Sequence, residues 1–301
     1  MNRFWPRYIR PLFETVQPKK IMEIGAEFGW NTRLILAYCR AHGAHADIID
    51  PAPLPSLLEE LAQFGPAEYR FLALKSLAAI PQLDAPDIAL IDGDHNWATV
   101  FRELNLLHAR AEQTGQAPPI VLSHDAAWPY ARRDMYYSPD DLDGWQRHPY
   151  SYKGMVPNQS ELDERGVNGW LANATHEGGP RNGVLTAIED YIASAGIEFT
   201  FRKLPFFNGL SILVPAARMT PALQTLIDSF FSAESMLAAC ESLEADGMQL
   251  RAMLSQTETR LSQRTEALQR ARAVIEAQRR QIAELELGHV AAAKHGTRDT
   301  A

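Results

Sequence analysis

The chain has 301 residues, of which 46% are hydrophobic and 22% charged, and its formal net charge is −8. This composition is typical of a globular protein with one large or two small domains, and it excludes an intrinsically disordered chain. The negative charge gives no general attraction to nucleic acid or to an anionic membrane. No apolar run approaches the ~18 residues of a membrane-spanning helix. We therefore expect neither a nucleic-acid partner nor a membrane span.

Cysteine content and the first residues bear on the compartment. The two cysteines, Cys39 and Cys240, are too few and too far apart for a disulfide framework or a zinc site. The N-terminal stretch MNRFWPRYIRPLF lacks the apolar segment of a secretion signal. These features predict a reducing compartment and a cytoplasmic location.

Short apolar runs alternate with helical patterns in the first part of the chain. The helical stretches include TRLILAYCRAHG (32–43) and WATVFRELNLLHARAEQ (97–113). Such alternation predicts βαβ units and a parallel sheet that is covered on both faces. The strand-length runs are IMEIG (21–25), ADIID (46–50), YRFLAL (69–74), DIALID (87–92) and PIVLSH (119–124).

Two further strands follow the helical stretch GVLTAIEDYIASAG (183–196). They are IEFTFRKL (197–204) and GLSILVP (209–215), and only PFFN separates them. Because four residues cannot hold a crossover helix, this pair must be an antiparallel hairpin. The predicted fold class is α/β, a Rossmann-like, mostly parallel seven-stranded sheet with an antiparallel terminal hairpin.

The chain changes character near residue 217. Eighteen of the 19 prolines precede Ala217, and apolar residues then recur every seven positions at Leu254, Leu261, Leu268, Ile275 and Ile282. A strict seven-residue repeat predicts a long helix in a coiled coil, and hence a homo-oligomer, although a lone amphipathic helix packed on the domain is an alternative. We predict a domain over 1–216 and a helical tail over 217–301.

An irregular segment, about 128–180, interrupts the first domain. It is rich in Tyr and Trp, which argues against disorder, and long loops are typical of lids over active sites. It is predicted to be a lid-like insertion that contacts an acceptor, with a packed surface excursion as the alternative. Arg132, Arg181 and Asn182 are the candidate substrate contacts.

A glycine turn follows the first strand, with the pattern Glu23-Ile-Gly25-x-x-x-Gly29. Gly25 permits a sharp turn, and Gly29 permits close approach of backbone to a ligand ahead of a helix N-terminus. The spacing differs from the G-x-G-x-x-G of nicotinamide enzymes. Asp50 ends the second strand, where a carboxylate can accept hydrogen bonds from ribose hydroxyls. A simple βα turn is the alternative.

These motifs, with Asp92 after the fourth strand and the terminal hairpin, resemble class I S-adenosylmethionine-dependent methyltransferases. The stretches Ile91-Asp92-Gly93-Asp94-His95 and GGPRNGVLTA (178–187) resemble a bacterial subset, some members of which modify sugars or glycans. The resemblance implies that S-adenosylmethionine is the cofactor. It places the methionine moiety near Glu23, Gly25 and Gly29, the ribose at Asp50, the adenine near Ser76, and the sulfonium approach at Asp92.

Ionisable residues follow the fourth and fifth strands. Adjacent strand ends lie ~4.8 Å apart, so Asp92 and Asp125 could share a divalent cation such as Mg²⁺ or Mn²⁺. His124 as a third ligand would favour Mn²⁺, Fe²⁺ or Zn²⁺. The resembled metal-dependent catechol-type enzymes carry Asp-Asn where this chain has His124-Asp125.

His95 has the spacing of the lysine base in those catechol-type enzymes, and an imidazole is well suited to accept a hydroxyl proton. The alternative is that Asp94 and His95 only begin the next helix, with Asp94 as its N-cap. We thus expect a methyltransferase with His95 and Asp92 as catalytic residues that O-methylates a sugar, a glycan or another polar small molecule. The other hypothesis is a catalytically lapsed scaffold in a glycan-assembly complex.

Overall fold

The computed structural model describes residues 1–296, and side chains as far as residue 285. The chain forms two compact units, residues 1–232 and a second unit that begins at residue 233. The main-sheet strands of the first unit are β1 (Lys20–Ile24), β2 (His45–Ile49), β3 (Tyr69–Leu72), β4 (Ile88–Ile91), β5 (Ile120–His124), β9 (Phe199–Leu204) and β10 (Leu210–Pro215). Its helices are α1 (Arg10–Val16), α2 (Trp30–His42), α3 (Pro55–Leu61), α4 (Ser76–Ala79), α5 (Trp97–Gln113), α6 (Val184–Ser194) and α7 (Pro221–Ser229).

The main sheet has seven strands in the order β3-β2-β1-β4-β5-β10-β9. Strands β1 to β5 are parallel, whereas β10 runs antiparallel to both β5 and β9. The predicted fold class and terminal hairpin are confirmed. Ile24 pairs with Ile91, which in turn pairs with Ser123, so β1, β4 and β5 end at the same level. The residues that follow these three strands therefore meet at one edge of the sheet.

The core lies between the sheet and its covering helices. All four residues of β4 are buried, as expected for a central parallel strand. On one face, Val100 and Leu104 of α5 and Ile188 of α6 pack against β1, β4 and β5. The i, i+4 spacing of Val100 and Leu104 directs both side chains toward the sheet.

Aromatic side chains near the N-terminus pack against aromatic side chains of the last part of the first unit. Phe4 stacks on Phe206, with ring centroids 5.9 Å apart, and Tyr8 contacts Phe230 edge-on at 5.1 Å. Leu223 and Ile227 of α7 are also buried. The first unit therefore extends to residue 232, which is 16 residues beyond the predicted domain boundary, because α7 packs with this unit.

The insertion contains a small antiparallel sheet of its own, with the order β6-β8-β7. These short strands are β6 (Met135–Tyr136), β7 (Tyr150–Ser151) and β8 (Ala172–Ala174). A bridge between His95 and Met135 joins β6 to the loop after β4. The segment is thus an ordered part of the first unit at the edge where the parallel strands end.

The second unit is one helix, α8 (Ala233–Gly296), of 64 residues. At 1.5 Å per residue it is about 96 Å long. The five heptad residues named above are each at least half exposed. Association through this face stays a prediction, and residues 297–301 of the predicted tail lie outside the described part. No helix within the described residues is both long and apolar enough to cross a bilayer.

Candidate functional site

The turn after β1 and the loop after β4 lie in direct backbone contact. Gly25 has φ +81°, and a Cβ added there would lie 2.3 Å from the carbonyl oxygen of Asp92. A side chain at Gly25 would therefore both strain the backbone and push the two loops apart. Close approach of these loops brings the predicted cofactor turn beside the predicted catalytic aspartate.

Asp50 organises the glycine turn from the neighbouring strand end. Its buried carboxylate accepts hydrogen bonds from the backbone N–H groups of Ala26 and Glu27, both at 3.0 Å, and of Ala52 at 2.9 Å. Three such bonds fix the path of the turn, because each satisfies a backbone donor that has no partner in a strand or helix. Asp50 therefore lies where ribose binding was predicted, and contact with a ribose stays a prediction.

Glu23 and Gly29 support the start of α2. The buried Glu23 carboxylate accepts hydrogen bonds from Asn31 Nδ2 at 2.7 Å and Thr32 Oγ1 at 2.6 Å. Burial raises the pKa of Glu23 to about 7, although these two bonds act in the opposite direction. Gly29 has φ +79°, and an added Cβ would lie 3.1 Å from Leu57 Cα of α3. The turn and the contact with α3 together account for a glycine there.

The helix that follows β4 covers the predicted stretch, but its N-cap lies two residues after the candidate that the sequence offered. Asn96, and not Asp94, is the N-cap of α5, because its Oδ1 accepts a hydrogen bond from Thr99 N at 2.8 Å. Asp94 is half-buried beside the cap and accepts a hydrogen bond from Thr99 Oγ1 at 3.2 Å. Burial raises the pKa of the Asp94 carboxyl. The capping alternative for Asp94 is therefore replaced by a capping role for Asn96.

Four ionisable side chains converge where β4 and β5 end. His124 Nδ1 lies 3.0 Å from Asp92 Oδ1 and 2.8 Å from Asp125 Oδ2. His95 Nε2 lies 3.0 Å from the same Asp125 oxygen. Asp92 Oδ2 also accepts a hydrogen bond from the Met1 amino group at 2.9 Å. The sequence-predicted metal ligands and base are thus brought together at one point.

Backbone carbonyls determine which histidine nitrogens face the carboxylates. His124 Nε2 lies 3.0 Å from the carbonyl oxygen of Phe207, and His95 Nδ1 lies 3.1 Å from that of Gly93. A carbonyl only accepts, so each of these nitrogens carries a proton and donates it. The opposite nitrogens, His124 Nδ1 and His95 Nε2, are therefore the ones whose lone pairs or second protons face Asp92 and Asp125.

The charges in this cluster are strongly coupled. Burial lowers the pKa of His124, but the Asp92 and Asp125 carboxylates outweigh it and raise the pKa to about 10. Burial alone would raise the pKa of Asp92, yet His124 and the Met1 amino group hold it below its usual value. Both pKa shifts have the same cause: the protonated His124 ring lies between the Asp92 and Asp125 carboxylates, and the opposite charges stabilise each other.

Two observations indicate that the cluster fits a metal ion. Asp92, His124 and Asp125 each offer a ligand atom, and these three atoms lie within 4.8 Å of one another. Asp125 is buried, has φ +56°, and its Oδ1 has no hydrogen-bond partner among the described residues. A buried, unpartnered carboxylate oxygen is costly unless a cation or another donor satisfies it.

The three predicted substrate contacts are engaged within the protein. Arg132 forms a bidentate ion pair with Glu189, at 2.6 and 2.8 Å. Arg181 lies with its guanidinium carbon 5.3 Å from the ring centroid of Trp97. Asn182 is fully buried, and its Oδ1 accepts from Asp134 N at 2.7 Å. Substrate contact by any of them stays a prediction, and Asn182 has a clear structural role.

Residues missed by sequence reasoning complete the site. Tyr130 and Tyr137 lie edge-on to His95, with ring centroids 5.3 and 5.9 Å away. The buried Asp134 accepts hydrogen bonds from Trp97 N and Gly183 N, each at 2.7 Å, and so ties the insertion to α5 and α6. The aromatic content of the segment is a signal for the tyrosines, whereas nothing in the sequence distinguishes Asp134 from its acidic neighbours.

No protein-family model matches the chain, and no curated protein matches it by sequence. Solved structures with a similar fold include an SAH-bound methyltransferase of Podospora anserina, with 14% identity, a TM-score of 0.41, and coverage of 68% of this chain and 75% of that one.

Two bacterial structures are similar at the same level. One from Staphylococcus aureus, described as a caffeoyl-CoA O-methyltransferase, has 15% identity, a TM-score of 0.39, and coverage of 69% and 81% of the two chains. A methyltransferase from Geobacter sulfurreducens has 11% identity, a TM-score of 0.38, and coverage of 71% and 77%. The function proposed for this chain therefore depends on its own site.

Proposed function

We propose that the first unit is an S-adenosylmethionine-dependent methyltransferase that transfers a methyl group to a hydroxyl oxygen of a polar acceptor. The observation that carries the proposal is the contact between the Gly25 turn and the loop of Asp92, which places a cofactor turn beside the cluster of Asp92, His124, Asp125 and His95. This arrangement combines a place for a methyl donor with groups that could activate an acceptor.

The residues at this edge fit the cofactor. The turn from Glu23 to Gly29 would hold the methionine moiety, Asp50 the ribose and Ser76 the adenine. Among the described residues, no side chain caps the N-terminus of α2, so its first N–H groups remain free to bind a carboxylate. When bound, S-adenosylmethionine supplies an electrophilic methyl group on a positively charged sulfur. The Asp92 carboxylate would favour that positive charge.

Asp92, His124 and Asp125 would hold a divalent cation, and this donor set of one nitrogen and two carboxylates suits Mn²⁺, Fe²⁺ or Zn²⁺ as well as Mg²⁺. When bound there, such a cation would supply Lewis acidity that lowers the pKa of an acceptor hydroxyl. The hydrogen bond from His124 Nε2 to Phe207 leaves Nδ1 as the ligand nitrogen, and a bound cation would replace the Nδ1 proton that Asp92 and Asp125 otherwise stabilise.

His95 would accept the acceptor's hydroxyl proton at Nε2. Its Nδ1 proton is held by Gly93, so Nε2 is the basic nitrogen of the neutral ring. After proton transfer, Nε2–H would donate to Asp125 Oδ2, which lies 3.0 Å away and stabilises the imidazolium. Tyr130 and Tyr137 restrict the rotation of the ring by edge contacts.

The acceptor would bind between this cluster and the insertion, a sugar or glycan being the class that the sequence resemblance favours. Trp145 and Trp170 of the insertion are each about 70% exposed, and aromatic faces of this kind can pack against a sugar ring. The exposed heptad face of α8 would join copies of the chain into an oligomer.

The cofactor half of the proposal is tested by calorimetry with S-adenosylhomocysteine. We expect micromolar binding by the full chain, weakened in Asp50→Ala by about 1.5–3 kcal/mol, the scale of hydrogen bonds to a charged group. Binding of NAD without any heat from S-adenosylhomocysteine would refute the class.

The proposed metal site is tested by titrating the full chain with Mn²⁺ and measuring the free ion by electron paramagnetic resonance. Asp125→Asn should weaken Mn²⁺ binding at least about tenfold and leave S-adenosylhomocysteine affinity unchanged. The matched control is Asp140→Asn, because the Asp140 side chain is 95% exposed in the insertion. Equal Mn²⁺ binding by the wild type, Asp125→Asn and Asp140→Asn would refute the proposed metal site.

Turnover separates an enzyme from a scaffold. Incubation with labelled S-adenosylmethionine and a cell extract should label one acceptor fraction, and a chelator should abolish the labelling without loss of cofactor binding. Cofactor binding with no labelled fraction would favour the lapsed scaffold. Full labelling in excess chelator would leave His95 as a metal-free base.

A further inference from the structure

The apolar face of α8 has two seams of unequal composition. The first seam is the heptad series described above, which is aliphatic at every position from Leu254 to Ile282. The second seam is offset from the first by three residues, the spacing of a coiled-coil core. Its members are Leu243, Leu250, Thr257, Arg264, Ala271, Gln278 and Leu285. The second seam is therefore apolar at its ends and small or polar in the middle.

Both seams are exposed in the described part of the helix. Leu261 and Leu268 of the first seam are 65% and 64% exposed, and Leu250 and Leu285 of the second are 58% and 61% exposed. The pattern from Leu250 to Leu285 covers about five heptads, more than the three to four that indicate a coiled coil. An exposed apolar stripe of this length is typical of a surface that binds a partner.

Charge is distributed unevenly along α8. Between residues 233 and 250 the helix has four acidic residues and no basic residue, whereas between residues 260 and 280 it has six arginines and two glutamates. The acidic residues are Glu234, Glu241, Glu244 and Asp246, and the arginines are Arg260, Arg264, Arg270, Arg272, Arg279 and Arg280. The two sections of the helix therefore have opposite net charges.

We propose that α8 pairs with α8 of a second copy of this chain in an antiparallel coiled coil. In this coil, Ile275 of one copy packs against Leu250 of the other, and Ile282 packs against Leu243. The inference rests on the oligomer of the proposed function and specifies its geometry. Because the first unit precedes residue 233, the two copies of that unit are joined to opposite ends of the coil.

Core packing favours the antiparallel direction. In a parallel pair each seam residue faces its own copy, so two Arg264 side chains would meet in the core. In an antiparallel pair the first seam of one helix packs against the second seam of the other, so small or polar residues meet leucines. These pairs are Thr257 with Leu268, Arg264 with Leu261, and Ala271 with Leu254. The aliphatic stem of Arg264 can then lie along the leucine while its guanidinium reaches water.

Charge favours the same direction. The antiparallel alignment places Glu244 and Asp246 of one copy beside Arg279 and Arg280 of the other, and the two-fold symmetry repeats this contact at the other end. A parallel pair would place each charged section beside its own copy. Sodium chloride should therefore weaken an antiparallel dimer, because it screens attraction, and strengthen a parallel dimer, because it screens repulsion.

Distances between spin labels test the direction in the full chain. Cys39 is buried, so Cys240→Ser removes the exposed thiol, and one cysteine is then introduced by Ala245→Cys or by Ala273→Cys, both on the exposed face away from the seams. In the antiparallel dimer the two labels are about 35 residues apart along the axis at position 245 and about 21 at position 273, or about 52 Å and about 32 Å. A parallel dimer would give the same separation at both positions, roughly 20 Å across two helices.

Charge reversal gives a second measurement. Arg279→Glu with Arg280→Glu should raise the dissociation constant of the dimer at least about tenfold in sedimentation at low salt, because attraction becomes repulsion. Adding Glu244→Arg with Asp246→Arg to the same chain should restore the wild-type value. In a parallel dimer these two sections lie far apart, so the second pair of changes would restore nothing.

The outcomes separate this inference from the proposed function. Equal short distances at both positions, or a wild-type dissociation constant that falls as sodium chloride is added, would overturn the antiparallel coil and leave the methyltransferase proposal intact. A subunit number other than two would also overturn it, and a monomer would in addition remove the proposed oligomer. Failure to bind S-adenosylhomocysteine would refute the methyltransferase, whereas the label distances, which depend on α8, would not change. The salt dependence of the wild type requires no variant.

Discussion

The burial of Glu103 predicts a pH dependence of stability that one substitution should remove. In the unfolded chain its carboxyl ionises near the ordinary pKa of 4.5, whereas in the folded chain it keeps its proton up to a pKa of about 8. Between these values the folded protein binds more protons than the unfolded one. Stability contributed by this group is therefore lost progressively as pH rises from about 4.5 to about 8.

The magnitude follows from the size of the shift. A rise of about 3.5 pKa units at about 1.36 kcal/mol per unit gives an upper limit of roughly 4–5 kcal/mol. Relaxation around the charge reduces this figure, so we expect a measured difference of about 2–4 kcal/mol. Glu103→Gln carries no ionisable group there, so relative to the wild type it should gain this stability above about pH 8 and not below about pH 4.5.

Urea denaturation between about pH 5 and about pH 9, followed by tryptophan fluorescence, measures the effect. All six tryptophans lie in the first unit, so the signal reports on that unit alone. Glu23 shifts in the same direction, but it is present in both proteins and cancels in the difference. Glu112→Gln, which removes an exposed carboxyl group from α5, the helix of Glu103, is the control. A difference in unfolding free energy between wild type and Glu103→Gln that is constant across this range would refute the reasoning.

Other perturbations test the packing and the assembly. Gly25→Ala should lower the unfolding free energy by about 2–4 kcal/mol, because the added Cβ would meet the Asp92 carbonyl. Gly43→Ala is the control: Gly43 also has a positive φ but open space around it, so the change should cost only about 1 kcal/mol. Thermal denaturation compares the two variants. Asp134→Ala should cost about 3 kcal/mol or more in the same assay, since it leaves buried donors unpaired. Leu261→Asp should reduce the subunit number of the full chain in light scattering, and a wild-type monomer would exclude the coiled coil.

Periodicity and connection length made the main sheet predictable. Five apolar runs separated by helical patterns leave few arrangements other than a parallel sheet, and the four-residue link 205–208 forces the hairpin. The convergence of Asp92 with His124 and Asp125 was also predictable, because the ends of neighbouring parallel strands are neighbours in space.

The insertion shows where sequence reasoning ends. Its strands have two or three residues each, too few for a period to be read, so the small sheet was not predicted. The N-cap of α5 lies two residues after Asp94, the predicted candidate. Asp94 and Asn96 are both good N-cap residues, and only the backbone conformation at the start of the helix selects Asn96. The contact of Tyr137 with His95 depends on the bridge from His95 to Met135, a long-range pairing without a local signal.

Under the proposed function, the position of Asp134 has a consequence for how new acceptor specificities can arise on this scaffold. Its carboxylate joins the starts of two core helices to the base of the insertion, so that base forms part of the domain's own framework. Deleting the insertion would leave buried helix donors unpaired and would yield an unstable chain instead of a stable domain with an open edge. The tips at Trp145, Tyr152 and Trp170 are exposed, and within the described part of the chain their side chains form no hydrogen bond to these helices. Laboratory evolution directed at these tips can therefore vary what the insertion contacts while its root, and the loop after β4 that is bridged to it, stay constant.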